Sequence, residues 1–202
     1  MDTEIRKGKN GYKLIIRNEK YVVEAAFEKA DESTVRAFEK SFLSFKNDGR
    51  LTSVLIDKKL KISAMESCTG GLFASNITDY EGASAIFRGS FVTYSNEAKI
   101  AAGVPEMIIT EFGVYSPETA YSMARAARRN TGSGIAAGIT GSYANPDPEN
   151  ADSVTGEIYA AAESENGGFT AKITLLSLEK TRRELKQLTV DIISGLIFSF
   201  IA

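Results

Sequence analysis

The sequence predicts a mixed α/β fold, a three-layer-like α/β sandwich with a mixed, mostly parallel sheet and a small N-terminal α+β appendage. Short apolar runs alternate with helical patterns between residues 51 and 140, and a hairpin pattern and a long amphipathic helix follow them. A turn signal at residues 47–50 separates the first 46 residues from the rest. We therefore expect a hairpin-plus-helix appendage at residues 1–46 and a main domain at residues 47–202.

The appendage is predicted from two β-prone runs and one helical pattern. The runs at residues 12–17 and 21–27 lie on either side of a polar turn, as in a hairpin. The helix that follows has a plausible capped start, and its apolar stripe consists of Val35, Phe38, Phe42 and Phe45. The stripe predicts core packing or a dimer contact rather than a ligand site, and an exposed stripe would suit a homodimer.

Four elements are predicted between residues 51 and 94. The apolar spacing indicates a short helix at residues 51–58, and alternating apolar and small residues indicate a buried strand at residues 62–65. Small hydroxyl, thiol and glycine residues then form a turn before a helix at residues 69–78. Aromatic and β-branched residues predict a strand at residues 86–94.

Three helix starts and a third strand complete this alternating region. Ser95 and Ser116 are good N-caps, Pro105 precedes a short helix, and Pro117 fits the first position of a longer one. The apolar run at residues 134–140 predicts the strand.

The C-terminal part is predicted as a loop, a hairpin and a helix. Prolines and acids without a regular period indicate a loop at residues 142–153. Two β-prone runs, at residues 154–163 and 169–176, flank a glycine-containing turn. Helical spacing of leucine and isoleucine then extends over residues 179–200.

Composition narrows the possible chemistry. A net charge of −2 argues against a general electrostatic attraction to nucleic acid or to an anionic membrane. No apolar stretch approaches the roughly 20 residues needed to span a bilayer, and residues 1–4 do not begin a signal-peptide pattern, so we expect a cytoplasmic protein. The chain has no histidine and one cysteine, Cys68, so the usual zinc sites and every Ser-His-Asp scheme are excluded. P-loop and dinucleotide-binding glycine motifs are also absent, and we expect no cofactor. A general base must be Lys, Tyr, Asp, Glu or a substrate group.

The turn at residues 66–71 has two interpretations. N–H groups at the start of a helix favour negative charge, so a nucleophile placed in this turn would lie beside its own oxyanion hole. Ser67 would then be the nucleophile, and the N–H groups of residues 68–71 would receive the oxyanion. In the alternative interpretation Ser67 or Thr69 only caps the helix, and the glycines only relieve crowding.

Ends of neighbouring strands place several hydroxyl groups together. Ligands of open α/β sheets bind at the carboxyl ends of strands, where we expect Ser67, Tyr94 and Thr140. Lys99 follows Tyr94 by about one helical turn. A serine nucleophile with a lysine or tyrosine base is a coherent set for acyl transfer in a protein without histidine.

Three motifs carry a family resemblance. Residues 64–72 (AMESCTGGL), 87–100 (FRGSFVTYSNEAKI) and 113–120 (GVYSPETA) occur in that order. From about residue 51 to its end, the chain resembles the C-terminal domain of CinA, the competence/damage-inducible protein family. Members of this family include nicotinamide-nucleotide amidohydrolases, which convert nicotinamide mononucleotide to nicotinate mononucleotide and ammonia.

The resemblance implies a role for each matched position. Ser67 corresponds to the nucleophile, and Tyr94 and Lys99 correspond to the other catalytic residues. The substrate-binding positions implied are Cys68, Thr69, Gly70, Gly71, Thr140, Gly141 and Arg182. The resemblance also implies a homodimer that takes a small nucleotide substrate.

One loop departs from the family pattern. After Thr140 the family reads Gly-Ile-Ala-Gly-Pro, whereas this chain reads Gly-Ser-Tyr-Ala-Asn-Pro, with Tyr143 in the loop and acids at Asp147 and Glu149. Backbone N–H groups of such a loop can cradle a phosphate, and these changes alter its shape and charge. Two alternatives to the amidohydrolase therefore stay open: a binding module that has lost the reaction, and an amidohydrolase for a different amide.

Overall fold

The computed structural model describes residues 1–143, 150 and 153–202. In chain order the elements are β1 (Asp2–Lys7), β2 (Gly11–Arg17), β3 (Tyr21–Glu28), α1 (Glu32–Ser44), α2 (Arg50–Asp57), β4 (Ile62–Glu66), α3 (Leu72–Thr78), α4 (Ala83–Ile86), β5 (Phe87–Val92), α5 (Asn96–Ala101), α6 (Glu106–Phe112), α7 (Pro117–Thr131), β6 (Ile135–Gly141), β7 (Glu157–Ser164), β8 (Gly167–Leu175) and α8 (Arg182–Ile201). None of the helices in these ranges is long and apolar enough to cross a bilayer.

All eight strands form one mixed sheet, in the order β1-β2-β3-β8-β7-β6-β4-β5. The predicted mixed α/β class is confirmed. The expectation of a mostly parallel sheet is not met, because only β4 with β5 and β4 with β6 pair in parallel, and the other five neighbouring pairs are antiparallel. Two parallel strands must be joined by a long crossover connection, and helices provide such connections between β4 and β5 and between β5 and β6. Short turns join β1 to β2, β2 to β3 and β7 to β8, and these pairs are antiparallel.

The first 46 residues extend this same sheet. Strand β3 pairs antiparallel with β8, from Tyr21 opposite Leu175 to Ala26 opposite Thr170. An additional strand, β1, was not predicted; it covers the far side of β2. The N-terminal segment and the C-terminal hairpin therefore share one continuous hydrogen-bonded surface and one hydrophobic core.

The phenylalanine stripe of α1 is internal. Phe38 and Phe42 are 4% and 7% exposed, so core packing, the first of the two predicted roles, describes the stripe, and the homodimer stays a prediction. The Phe38 ring lies 4.7 Å from that of Phe27 on β3 and 5.7 Å from that of Phe169 on β8, both measured between centroids. Burial of aromatic surface between α1 and the sheet is the physical reason that the stripe is unavailable to a second chain.

Helices cover both faces of the sheet, which gives the expected three layers. Helices α1, α2 and α8 pack together over one face, and α7 lies on the other face against β4, β6 and β7. The contact between α7 and β6 is close because Gly138 has no side chain: a Cβ atom there would lie 1.9 Å from the Ala120 carbonyl oxygen. The N-terminal end of α7 is thereby held against the carboxyl end of β6.

Candidate active site

A tight turn follows β4 and carries Ser67. The Ser67 N–H donates to the Ile139 carbonyl oxygen of β6 at 2.9 Å, and the Ser67 carbonyl oxygen accepts from the Gly70 N–H at 3.0 Å. Gly70 and Gly71 have φ values of 60° and 90°, which L side chains rarely adopt. The helix after the turn, α3, therefore begins at Leu72 rather than at the predicted residue 69.

Glu66, the last residue of β4, provides the cap of α3. Its carboxylate is fully buried and accepts from the N–H groups of Gly71, Phe73 and Ala74, each at 3.0 Å. The hydroxyl of Ser90 on β5 donates a fourth bond at 2.9 Å. Neither Ser67 nor Thr69 caps the helix, so the alternative in which these residues serve only as caps does not describe the structure.

These bonds limit which N–H groups of the turn can receive an oxyanion. The Gly70 and Gly71 amides donate to Ser67 and Glu66. In the described part of the chain, no backbone oxygen outside the turn accepts from the N–H groups of Cys68 and Thr69. The candidate donors for an oxyanion hole at residues 68–71 are thus reduced to the amides of Cys68 and Thr69, which directly follow Ser67.

Lys99 reaches Ser67 from the neighbouring helix. Ser95 caps α5 by accepting from the Ala98 N–H, as predicted, and Lys99 lies one turn into the helix. Its side chain is 1% exposed, and its Nζ atom is 3.2 Å from the Ser67 hydroxyl oxygen and 3.4 Å from the Ser95 carbonyl oxygen. The structure therefore brings together the proposed nucleophile and one of the two candidate bases.

Tyr94 and Arg182 form a second contact at the rim of the site. The Tyr94 side chain is 65% exposed, and its hydroxyl accepts from the Arg182 guanidinium at 3.0 Å. The same guanidinium lies 5.4 Å above the centroid of the Tyr143 ring. Within the described residues the Tyr94 hydroxyl bonds to Arg182 and not to Ser67 or Lys99, so the geometry favours Lys99 as the base.

Thr140 and Gly141 end strand β6 beside the turn. The Thr140 side chain is fully buried, and its hydroxyl donates to the Val114 carbonyl oxygen at 3.1 Å. Its proton is therefore committed to the segment before α7. Gly141 pairs with Ile158 of β7. Both residues position the strand end on which the Ser67 turn rests, and a direct contact with substrate stays a prediction.

Cys68 lies beside the nucleophile but is held as a thiol. Its side chain is 5% exposed, and burial raises the pKa of the thiol to about 11. A thiol with this pKa is almost entirely protonated at neutral pH, and the thiolate is the nucleophilic form. Burial also raises the pKa of Tyr143, whose phenol therefore stays neutral beneath Arg182.

Of the loop predicted at residues 142–153, the structure describes residues 142, 143, 150 and 153. Ser142 donates its N–H to the Glu157 carbonyl oxygen, and the Asn150 side chain accepts from Asn96 of α5 at 2.9 Å. The acids Asp147 and Glu149 lie outside the described residues.

Sequence reasoning assigned no role to Glu66 or Lys186. The sequence pattern that could have indicated Glu66 is an acid at the end of a mostly apolar, buried strand. Such an acid needs hydrogen-bond partners, because buried acids are almost always hydrogen-bonded. The signal for Lys186 is its position four residues after Arg182, which places both cations on one face of α8. The described residues contain no group of acids, cysteine or histidine that would hold a metal ion.

A family model and curated relatives both relate this chain to CinA proteins. A family model described as the CinA C-terminal domain matches residues 45–197. A CinA-like protein of Prochlorococcus marinus subsp. pastoris is 36% identical over 156 residues, which cover 75% of this chain and 36% of that protein. One of Geobacter sulfurreducens is 41% identical over 121 residues, which cover 59% of this chain and 29% of the relative. The chain thus spans about a third of the length of the curated relatives it matches.

Solved structures resemble this one over most of its length. Competence/damage inducible protein CihA from Agrobacterium tumefaciens has a TM-score of 0.67 and 29% identity, over 81% of this chain and 95% of that one. A competence or damage-inducible protein from Enterobacter asburiae has a TM-score of 0.69 over 82% of this chain and 98% of that one. At 23% identity the second likeness supports the fold alone.

Proposed function

Since the chain belongs to the CinA family, through the family's C-terminal domain, we propose that it hydrolyses the carboxamide of nicotinamide mononucleotide to nicotinate mononucleotide and ammonia. The observation that carries the proposal is the 3.2 Å approach of the Lys99 Nζ atom to the Ser67 hydroxyl oxygen in a buried turn. A serine activated by an adjacent lysine is a recognised route to a covalent acyl intermediate.

Acylation begins when the Ser67 oxygen attacks the carboxamide carbon and its proton passes to the Lys99 amine. In this step Lys99 acts as a neutral amine, and its side chain is 1% exposed. The N–H groups of Cys68 and Thr69 stabilise the oxyanion, at about 3 to 4 kcal/mol for each donor in comparable sites. Lys99 then returns the proton to the leaving nitrogen, the C–N bond breaks, and ammonia departs.

Deacylation uses the same groups. A water molecule gives a proton to Lys99 and attacks the Ser67 ester, which releases the carboxylate and restores the serine hydroxyl. In this proposal Tyr94 and Arg182 contact the substrate at the rim, and Thr140 fixes the strand end. Cys68 contributes its backbone N–H and not its thiol, because burial keeps the thiol protonated.

The test is ammonia release from nicotinamide mononucleotide by wild type and three variants, with nicotinamide and glutamine as control amides. We expect Ser67→Ala to abolish turnover and Cys68→Ala to retain it. Ser75→Ala, an exposed serine of α3, is the matched control and should behave as wild type. Undiminished turnover by Ser67→Ala would remove Ser67 from the mechanism.

The alternatives give different results in the same assay. Release of ammonia from another amide but not from the mononucleotide would indicate an altered amidohydrolase. No turnover, together with a melting temperature that rises in the presence of the mononucleotide, would indicate a binding module.

A further inference from the structure

Lys186 of α8 lies against the turn that carries Ser67. A Cβ atom placed on Gly70 would be 3.2 Å from the Lys186 Nζ atom, and Gly70 is three residues after Ser67. The ammonium group is therefore beside the backbone of the turn. Arg182, one helical turn earlier on α8, faces the same region through its bond to Tyr94.

Neither cation is neutralised within the described part of the chain. All eight ion pairs found there involve other lysines and arginines. The acid nearest in sequence, Glu184, accepts from the N–H and the hydroxyl of Thr181 at 2.8 and 2.7 Å in a capping box. This acid is held at the helix start, where it does not pair with Arg182 or Lys186.

Among the described residues, the contacts of the Arg182 guanidinium are with a hydroxyl and an aromatic ring and not with an acid. Its guanidinium is located between the Tyr94 hydroxyl and the face of the buried Tyr143 ring. Burial raises the pKa of Tyr143 above its ordinary value, so the ring next to the guanidinium carries no charge. An arginine oriented by a neutral hydroxyl and an aromatic face retains donors for an anion.

We propose that Arg182 and Lys186 form an anion subsite that takes the phosphate monoester of the substrate. This inference rests on the proposed function and adds the residues that bind the phosphate group. A phosphate carries up to two negative charges and three terminal oxygens, so it accepts from a guanidinium and an ammonium at the same time.

The test compares two substrates that differ only in the phosphate. Kinetics with nicotinamide mononucleotide and with nicotinamide riboside are measured for wild type, Lys186→Gln, Lys186→Arg and Arg183→Gln. Arg183 is the matched control, because it is an exposed cation on the same turn of α8 without an ion pair among the described residues.

We expect Lys186→Gln to raise KM for the mononucleotide by about tenfold or more and to leave kcat and the riboside kinetics nearly unchanged. Lys186→Arg should recover most of the loss, and Arg183→Gln should resemble wild type. An equal loss on both substrates, or no loss on either, would overturn the subsite.

Equilibrium binding separates this inference from the proposed function. If wild type releases no ammonia, calorimetric titration with the mononucleotide and with inorganic phosphate still decides the subsite. Binding that weakens about tenfold in Lys186→Gln but not in Arg183→Gln supports it. Binding that is absent in wild type, or equal in both variants, contradicts it.

Discussion

Ser67 and Lys99 are the two residues on which the proposed reaction depends most directly. The role of Lys99 as the general base can be tested by substitution. Lys99→Met removes the amine and keeps a long side chain in the buried space. We expect kcat for nicotinamide mononucleotide to fall by about 10²- to 10⁴-fold, the usual contribution of a general base. Lys58→Met makes the same chemical change at an exposed position after α2 and should leave kcat unchanged. A Lys99→Met enzyme as fast as wild type would exclude Lys99 as the base.

Cys68 is expected to limit stability at alkaline pH. Burial raises its pKa from 9.0 to about 11 in the folded protein, so the unfolded chain loses this proton first. Its contribution is therefore complete below pH 9 and decreases as pH rises towards 11, by about 2–3 kcal/mol in total. The measurement is the free energy of unfolding in urea at pH 8, 9, 10 and 11 for wild type and Cys68→Ala.

The difference between those two curves reports the Cys68 thiol together with its coupling to Tyr143. Tyr143 also has a raised pKa and destabilises both proteins at high pH. Wild type should lose more stability than Cys68→Ala between pH 9 and 11. Parallel curves would mean that the thiol has the same pKa in the folded and unfolded states.

The sequence predicts the candidate site best where its chemistry is local. Ser67 and the glycines after it lie within five residues of the chain, so their turn is recognisable without knowledge of the fold. The contact between Ser67 and Lys99 is predicted less directly, through the rule that strand ends meet at one edge. The bond between Tyr94 and Arg182 spans 88 positions of the chain, and no local pattern indicates it.

At the scale of single elements, Glu66 links β4, β5 and α3. Glu66→Gln should lower the free energy of unfolding by on the order of 3 kcal/mol, because the amide nitrogen cannot accept from the buried N–H groups. Ser90→Ala removes one of the four donors and should cost about 1 kcal/mol. Urea unfolding of both variants tests the difference, and equal losses would mean that the carboxylate has no special role.

Element boundaries differ from the prediction where tertiary contacts decide them. Strand β1 was missed because its residues alternate charged and uncharged types without an apolar run. Its charges pair on the sheet instead: Arg17 of β2 lies 3.4 Å from Glu4. The late start of α3 has a comparable cause, since the cap is supplied by Glu66 from the preceding strand.

For the molecule as a whole, we expect residues 1–46 to be necessary for folding. Their removal would leave β8 as an unpaired edge and take away two of the aromatic rings that cover Phe169. A protein of residues 47–202 should therefore aggregate or unfold well below the melting temperature of the full chain, as measured by circular dichroism and gel filtration. A folded fragment with the melting temperature of the full chain would show that the segment is an independent appendage.

The sheet order is the part of the fold least accessible from the sequence. The sequence patterns predict most strands to within a few residues of their observed bounds. Which strands pair depends on contacts between distant segments, such as β3 with β8. Alternating strands and helices favoured a parallel sheet. That expectation holds only for β4, β5 and β6, the three strands whose ends carry or adjoin the Ser67 turn.

Gly138 determines how freely this region of the protein can vary. Any other amino acid would bring its Cβ atom to 1.9 Å from the Ala120 carbonyl oxygen and push α7 away from β6. The hydrogen bond from the Thr140 hydroxyl, two residues further along the chain, to the Val114 carbonyl oxygen would then be broken. Tolerance to substitution at the edge that carries Ser67 and Thr140 is thus set by a residue without a side chain, where the first atom added to the backbone would displace a helix.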